Sequence, residues 1–214
     1  MKKSIWLGFF DNASDMPSNE SLKLLKSMEF TRLYTYEIVE TKDFEQYYWY
    51  MSGTIPIDEI TFDKRFDGIA LDIEPLAFGK FRVPYKKELE KFREFGKPIV
   101  AVVPCPGWLD WIKGLDWNFI FKNFDQVLFM FYYHEPVMML YMNPDSVLKK
   151  ITKLNKFNKA GLILPAYPSP DKPPKVPNIE TNIKYMNESE KNGFQEISFF
   201  RWSETEKEWR KWLR

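Results

Sequence analysis

Short apolar runs alternate along the chain with stretches of helical spacing, and the alternation continues nearly to the end. Residues 5–10, IWLGFF, read as a strand. Over residues 18–28, Leu22, Leu24, Leu25 and Met28 fall on one helical face, with Ser18 placed as the N-cap. Residues 30–36 and 69–73 are the next clear strands. The second is followed by a charged helix, YKKELEKFREFG, which Gly96 ends as a C-cap. A strand at 98–103, a mostly helical stretch at 108–123 and a strand at 126–133 follow. Then come a helix at 144–157 capped by Asn143, a strand at 161–167, a helix at 179–191 and a last strand at 196–202. The chain closes in an amphipathic stretch carrying Trp209 and Trp212.

The pattern is least decisive over residues 41–66. There EQYYWYM fits a strand or a helix, and PIDEITFDKRF reads as a short helix leading into the next strand. Strand-then-helix order repeated this often argues for a parallel sheet with helices outside it. The strands are short and continuously apolar, as parallel strands buried on both faces are. The predicted fold class is therefore α/β: a compact (β/α)8 TIM-type barrel, a single domain over residues 1–214, with its third β/α unit degenerate. Such barrels usually need about 250 residues, so the loops must be short. An open doubly wound sheet has less support, because there is no glycine-rich phosphate loop. Pro168, Pro170, Pro173, Pro174 and Pro177 mark a surface excursion late in the chain.

Charge excludes some classes. Lysines and arginines number 31 against 30 acidic residues, which gives no pull toward nucleic acid or an anionic membrane surface. No segment approaches the roughly 20 apolar residues of a membrane span. The N-terminal apolar run is too short for a signal peptide, so a cytoplasmic location is expected, with a mature secreted domain as the alternative. Cys105 is the single cysteine and His134 the single histidine. No internal disulfide and no zinc set can be built from them, and neither a metal nor a cofactor is expected. Cys105, at a strand end, reads as a small buried hydrophobe. Aromatic residues are abundant, with 19 Phe, 11 Tyr and 8 Trp. They serve core packing, a carbohydrate cleft or both, since a sugar's C–H face rests well on a ring.

The segment that carries chemistry is FDGIALDIEP, residues 66–75. Side chains alternate along a strand, so Ala70, Asp72 and Glu74 share one face, which in a barrel is the interior. Two interior carboxyls at the C-terminal end of a strand are costly unless used or paired, and barrel active sites lie at that end. Burial and mutual repulsion raise their pKa values, so one acid can keep a proton near neutral pH and deliver it. The structural alternative is a hydrogen-bonded pair that fixes the strand end or meets a lysine. Asp67, just before the strand and followed by Gly68, reads as a turn residue.

DGIALDIE is similar to the DGxDxDxE signature of glycoside hydrolase family 18, which includes chitinases and endo-N-acetylglucosaminidases. Asp67, Asp72 and Glu74 match, and Ala70 stands in place of the middle aspartate. The resemblance implies that Glu74 is general acid and base. It implies that Asp72 orients the substrate's own acetamido group, which attacks the anomeric carbon; this is the substrate-assisted exception to two-carboxylate hydrolysis. Three further segments resemble the family in order. In MFYY, residues 130–133, Tyr132 takes the place of a tyrosine that hydrogen-bonds the acetamido group, and Tyr133 stands where an aspartate belongs. GLILPAY, residues 161–167, resembles the seventh strand and brings Tyr167. SFFRW, residues 198–202, resembles the eighth, whose tryptophan, here Trp202, lies under the sugar. The first strand matches loosely through Gly8, Phe9 and Phe10. The third-strand SxGG pattern is absent.

The expected catalytic set is thus Glu74, Asp72 and Tyr132. The expected sugar-binding set is Trp202, Tyr167, Tyr133, His134, Glu135, Phe10 and Tyr36. Each supporting residue has a plainer reading as a core ring or a loop residue. Glu135 has another: as a second carboxylate facing Glu74 it would permit ordinary two-carboxylate hydrolysis, a part Asp11 could also take. Trp108 and Trp111 follow the fifth strand, where one of them could reach the cleft. The expected partner is a β-linked, N-acetylglucosamine-containing carbohydrate, with no nucleic acid and no membrane. A sugar- or protein-binding barrel without activity is the competing reading.

Overall fold

In the computed structural model the described residues are 1–7, 17–74, 84–106, 115–134, 143–166 and 177–200. Eight parallel strands close into a barrel in simple sequence order. They are β1 (Lys2–Trp6), β2 (Arg32–Thr35), β3 (Glu45–Met51), β4 (Gly68–Asp72), β5 (Ile99–Pro104), β6 (Gln126–Met130), β7 (Ala160–Pro165) and β8 (Glu196–Phe200). β8 pairs with β1 through Lys2 to Ile5, which completes the ring. Helices among the described residues are α1 (Asn19–Ser27), α2 (Tyr85–Arg93), α3 (Trp117–Asn123), α4 (Pro144–Leu154) and α5 (Ile179–Lys191).

Strand alternation divides the apolar residues into two cores. Ile69, Leu71 and Ile73 face outward and join the helices' buried faces, including Leu25, Phe92 and Ile151. Ala70 faces inward with Val100, Val102, Leu128, Met130 and Ile163. The helix starts are fixed by the expected caps. Ser18 Oγ accepts from the Ser21 amide at 3.1 Å, and Asn143 Oδ1 accepts from the Asp145 amide at 2.9 Å. Gly96 lies beyond the end of α2 at φ +66°, a left-handed conformation that glycine adopts without strain.

Below the inner apolar layer, the barrel is plugged by a polar cluster at the N-terminal ends of its strands. Glu196 is fully buried and accepts from Arg32 at 2.7 Å, Tyr34 at 2.7 Å, Gln126 at 3.0 Å and Ser4 at 2.5 Å. Arg32 also reaches Glu45 at 2.7 Å, and its guanidinium lies 4.0 Å from the centre of the Tyr47 ring. The Tyr47 ring occupies the space a side chain at position 68 would need. A Cβ on Gly68 would lie 2.2 Å from it, so the glycine there serves packing. Asp67 accepts from the Gln46 amide at 2.8 Å and so ties the start of β4 to β3.

The stretch EQYYWYM, which its spacing left undecided, is β3 throughout. The connection from β3 to β4 contains a single 3-10 turn, Ile57–Glu59, in place of a helix. This is the degenerate unit. Its entry is held from outside by Glu88 of α2, a fully buried carboxylate that accepts from Tyr50 at 3.0 Å, from the Gly53 amide at 2.8 Å and from the Ser52 hydroxyl.

Several strand boundaries differ from those read in the sequence. β1 begins at Lys2, because both N-terminal lysines lie along the strand with their ammonium groups at its polar end. Lys2 meets Glu45 at 3.0 Å and Lys3 meets Glu29 at 3.2 Å. Ladder pairing in β6 ends at Met130, so Tyr132 and Tyr133 lie just beyond the strand. The helical reading of 108–114, the proline excursion over 167–176 and the closing amphipathic stretch lie outside the described residues. No described helix is long and apolar enough to cross a membrane.

Candidate active site

At the C-terminal end of the barrel the described residues enclose a cavity of about 110 Å³. Its chemistry comes from Asp72 and Glu74 of the β4 end and Tyr132 beyond β6. Its walls are Trp6, Trp49 and Phe200, and its apolar floor is Val102, Met130 and Ile163. The same alternation that sends Ile73 outward brings the two carboxyls together.

Asp72 is 2% exposed. Its Oδ2 accepts from the Trp49 indole N–H at 2.9 Å, and among the described residues its Oδ1 has no hydrogen-bond partner. Burial pushes the Asp72 carboxyl well above the usual aspartate range. The neighbouring Glu74 adds to the rise, and the Trp49 N–H opposes it. Glu74 is half-buried at the cavity edge. The Tyr132 ring sits 5.7 Å from Phe200, inclined at 32°.

This raised pKa makes the site a source of pH-dependent stability. A folded pKa above the unfolded value, about 3.9, favours the fold while Asp72 is protonated. That contribution is complete below pH 4 and is lost as pH rises through the folded value. Asp72→Asn removes the dependence. The variant's unfolding midpoint in urea, measured from pH 4 to pH 9, is expected to gain on the parent's as pH rises. A constant difference across that range would contradict it.

The aromatic wall is continuous. Trp6 stacks on Tyr34 at 4.2 Å and 13°, and meets Trp49 edge-on at 4.8 Å. Tyr36 stacks on the far face of this group, 4.6 Å from Trp49, and Phe200 stands edge-on to Trp49 at 5.8 Å. Of the residues expected from sequence, Asp72, Glu74 and Tyr132 therefore meet in one cavity, with Tyr36 packed behind its wall.

Tyr133 does not line this cavity. One residue past Tyr132, it points the opposite way and donates to Asn182 Oδ1 at 2.8 Å on α5. His134 is buried in the turn after β6, its ring 6.2 Å from that of Tyr133, and does not line the cavity. Phe10, Glu135, Tyr167 and Trp202 lie outside the described residues, as do Asp11, Trp108 and Trp111. Cys105 is buried beside the cavity's floor strands, its thiol donating to the Met130 carbonyl at 3.1 Å, and burial pushes its pKa well up; this is a structural cysteine.

The sequence reading missed Trp6, Trp49 and Phe200. The signal for Phe200 was present, since it shares an inward face with Ser198 and Glu196. Trp6 was hidden by placing the first strand too late. Trp49 was hidden by the undecided spacing of EQYYWYM. Among the described residues no cluster of histidine, cysteine and carboxylate side chains could hold a metal ion.

No protein-family model matches the sequence, and no curated protein matches it. Solved structures do match. A chitinase from Chromobacterium violaceum superposes with a TM-score of 0.61 at 11% identity, over 99% of this chain and 97% of that one. A chitinase from Rhizomucor miehei gives 0.60 at 11% identity, over 100% and 99%. The PgaB glycoside hydrolase domain from Bordetella bronchiseptica gives 0.60 at 10% identity, over 94% of each chain. At such identities the likeness is one of architecture. The chain is a divergent, closed (β/α)8 barrel with the fold that these chitinases and glycoside hydrolases share.

Proposed function

We propose that the protein hydrolyses β-linked, N-acetylglucosamine-containing oligosaccharides with the help of the substrate's acetamido group. The observation that carries this reading is the cavity in which Asp72, Glu74 and Tyr132 meet, with one buried Asp72 oxygen lacking a partner among the described residues. Pockets that enclose a whole small ligand usually span about 300–1,000 Å³. The part bounded by described residues, about 110 Å³, has room for one substituent of a sugar. An acetamido group fits its chemistry: the N–H faces Asp72, the carbonyl oxygen meets the Tyr132 hydroxyl and the methyl rests on Val102, Met130 and Ile163.

In this reading Glu74 gives its proton to the leaving glycosidic oxygen while the acetamido oxygen attacks the anomeric carbon. Asp72, having passed its proton to Glu74 as the sugar enters, accepts the N–H on Oδ1 and as a carboxylate offsets the positive charge that develops. Water then opens the cyclic intermediate, and Glu74 takes back a proton. The chitinases and the glycoside hydrolase domain with the same fold make the substrate class a natural one to test.

The test is digestion of chito-oligosaccharides with and without a thiazoline mimic of the cyclic intermediate. Cleavage that the mimic blocks supports the reading. Cleavage it leaves untouched would point to a two-carboxylate mechanism. A second reading, a barrel that binds sugar without cutting it, is favoured by Ala70, which leaves Asp72 with a neutral partner inside the barrel. Binding measured by calorimetry with no product after prolonged incubation would select it.

A further inference from the structure

Asp72 and Trp49 are joined across neighbouring strands. In the β3–β4 register Trp49 lies beside Ala70, and Met51 lies beside Asp72. Ala70, with only a methyl side chain, shares the inner core with Trp49, whose indole N–H reaches Asp72 Oδ2 at 2.9 Å. Tyr36 stacked on one side, and the edge contacts with Trp6 and Phe200, hold that indole in place.

An indole N–H can only donate, and it does not ionise in the working range of a protein. An oxygen that accepts from it cannot at the same time use that direction to present a proton. We infer that Trp49 is a positioning residue that holds Asp72 Oδ2 as an acceptor and confines any proton on this carboxyl to Oδ1, the oxygen no described residue engages. The carboxyl therefore has two distinct ends: one fixed to the barrel wall, the other available to Glu74 and to a ligand. Without the indole, the proton could sit on either oxygen and the carboxyl could rotate between the two arrangements.

The other described ionisable groups lining the cavity are Glu74, two residues on and just past the end of β4, and Tyr132 beyond β6. The lining residues from β5, β7 and β8 are Val102, Ile163 and Phe200, which carry no charge. The proton exchange that Trp49 directs is therefore between Asp72, Glu74 and whatever enters. The inference deepens the proposed hydrolysis and takes its functional meaning from that reading, but its test needs no substrate.

The test follows the Trp49 indole ¹⁵N–¹H resonance, assigned by its loss in Trp49→Phe, across a pH titration of the full chain. The resonance is expected to shift with a midpoint well above the ordinary aspartate value of about 3.9. The Asp72 carboxyl ¹³C signal should titrate with the same midpoint. In Asp72→Asn the indole shift should lose most of its pH dependence. In Trp49→Phe the Asp72 midpoint should rise by about one pH unit, because the donor that favours the charged form is gone. An indole signal indifferent to pH, or unchanged by Asp72→Asn, would overturn the inference, as would an Asp72 midpoint that ignores Trp49→Phe. If Trp49→Phe does not fold, the Asp72→Asn comparison decides alone. Titration as expected in a protein that cleaves no glycoside would sink the hydrolysis and leave the role of Trp49 standing.

Discussion

Replacing Glu74 with glutamine is expected to lower kcat on chito-oligosaccharides by about 10²- to 10⁴-fold, with KM close to the parent's. Glutamine keeps the size and the hydrogen-bonding reach of the side chain but has no proton to give the leaving oxygen. Glu74 stands at the rim of the cavity while Asp72 lies within the wall, so the substitution should leave the buried contacts unchanged. Circular dichroism and the urea midpoint should match the parent, and sugar binding should persist. A variant that cleaves as fast as the parent would remove Glu74 from the chemistry. Loss of binding along with activity would instead mean that Glu74 holds the ligand.

The largest effect on stability is expected at the opposite end of the barrel. Glu196→Ala should cost about 3–5 kcal/mol, the range for breaking a buried ion pair by removing one partner. The cost arises because Ser4, Tyr34, Gln126 and one arm of Arg32 all lose their acceptor inside the barrel. Total folding stabilities are commonly about 5–15 kcal/mol, so the urea midpoint should fall by about 1 M or more. Glu45 offers the contrast. Its side chain is 43% exposed, and its contact with Arg32 competes with water, so Glu45→Ala should cost about 1 kcal/mol or less. Equal losses at the two positions would mean that burial is not what makes Glu196 matter. Arg32→Met combined with Glu196→Leu should recover much of the loss, because no buried charge is then left alone.

The elements that sequence reveals best are those whose polar and apolar positions obey one period. α5 was read with its observed bounds, although two of its three buried residues, Asn182 and Ser189, are polar; Asn178 caps its start. The carboxyl pair was legible because DGIALDIE alternates on a two-residue period, and Asp72 and Glu74 share the inner face. β3 was not legible because the barrel interior accepts tyrosine and tryptophan while its outer face accepts tyrosine as well. EQYYWYM thus shows no contrast between its faces. Glu88 was also hidden. A charged helix of the YKKELEKF type gives no sign that one glutamate turns inward to serve three donors from another segment. The acceptor role of Asp72 was hidden in the same way, since its partner lies on the strand whose nature was undecided.

Glu196, Arg32 and Tyr34 close the barrel beneath Trp6, so the cavity is blind. A polymer therefore cannot thread along the barrel axis, and among the described residues nothing opens the cavity from below. A side group that dips into it along that axis would have to come back the way it went in. Turnover would be set by how readily that group withdraws, and a ligand that bound too deeply would inhibit by failing to leave.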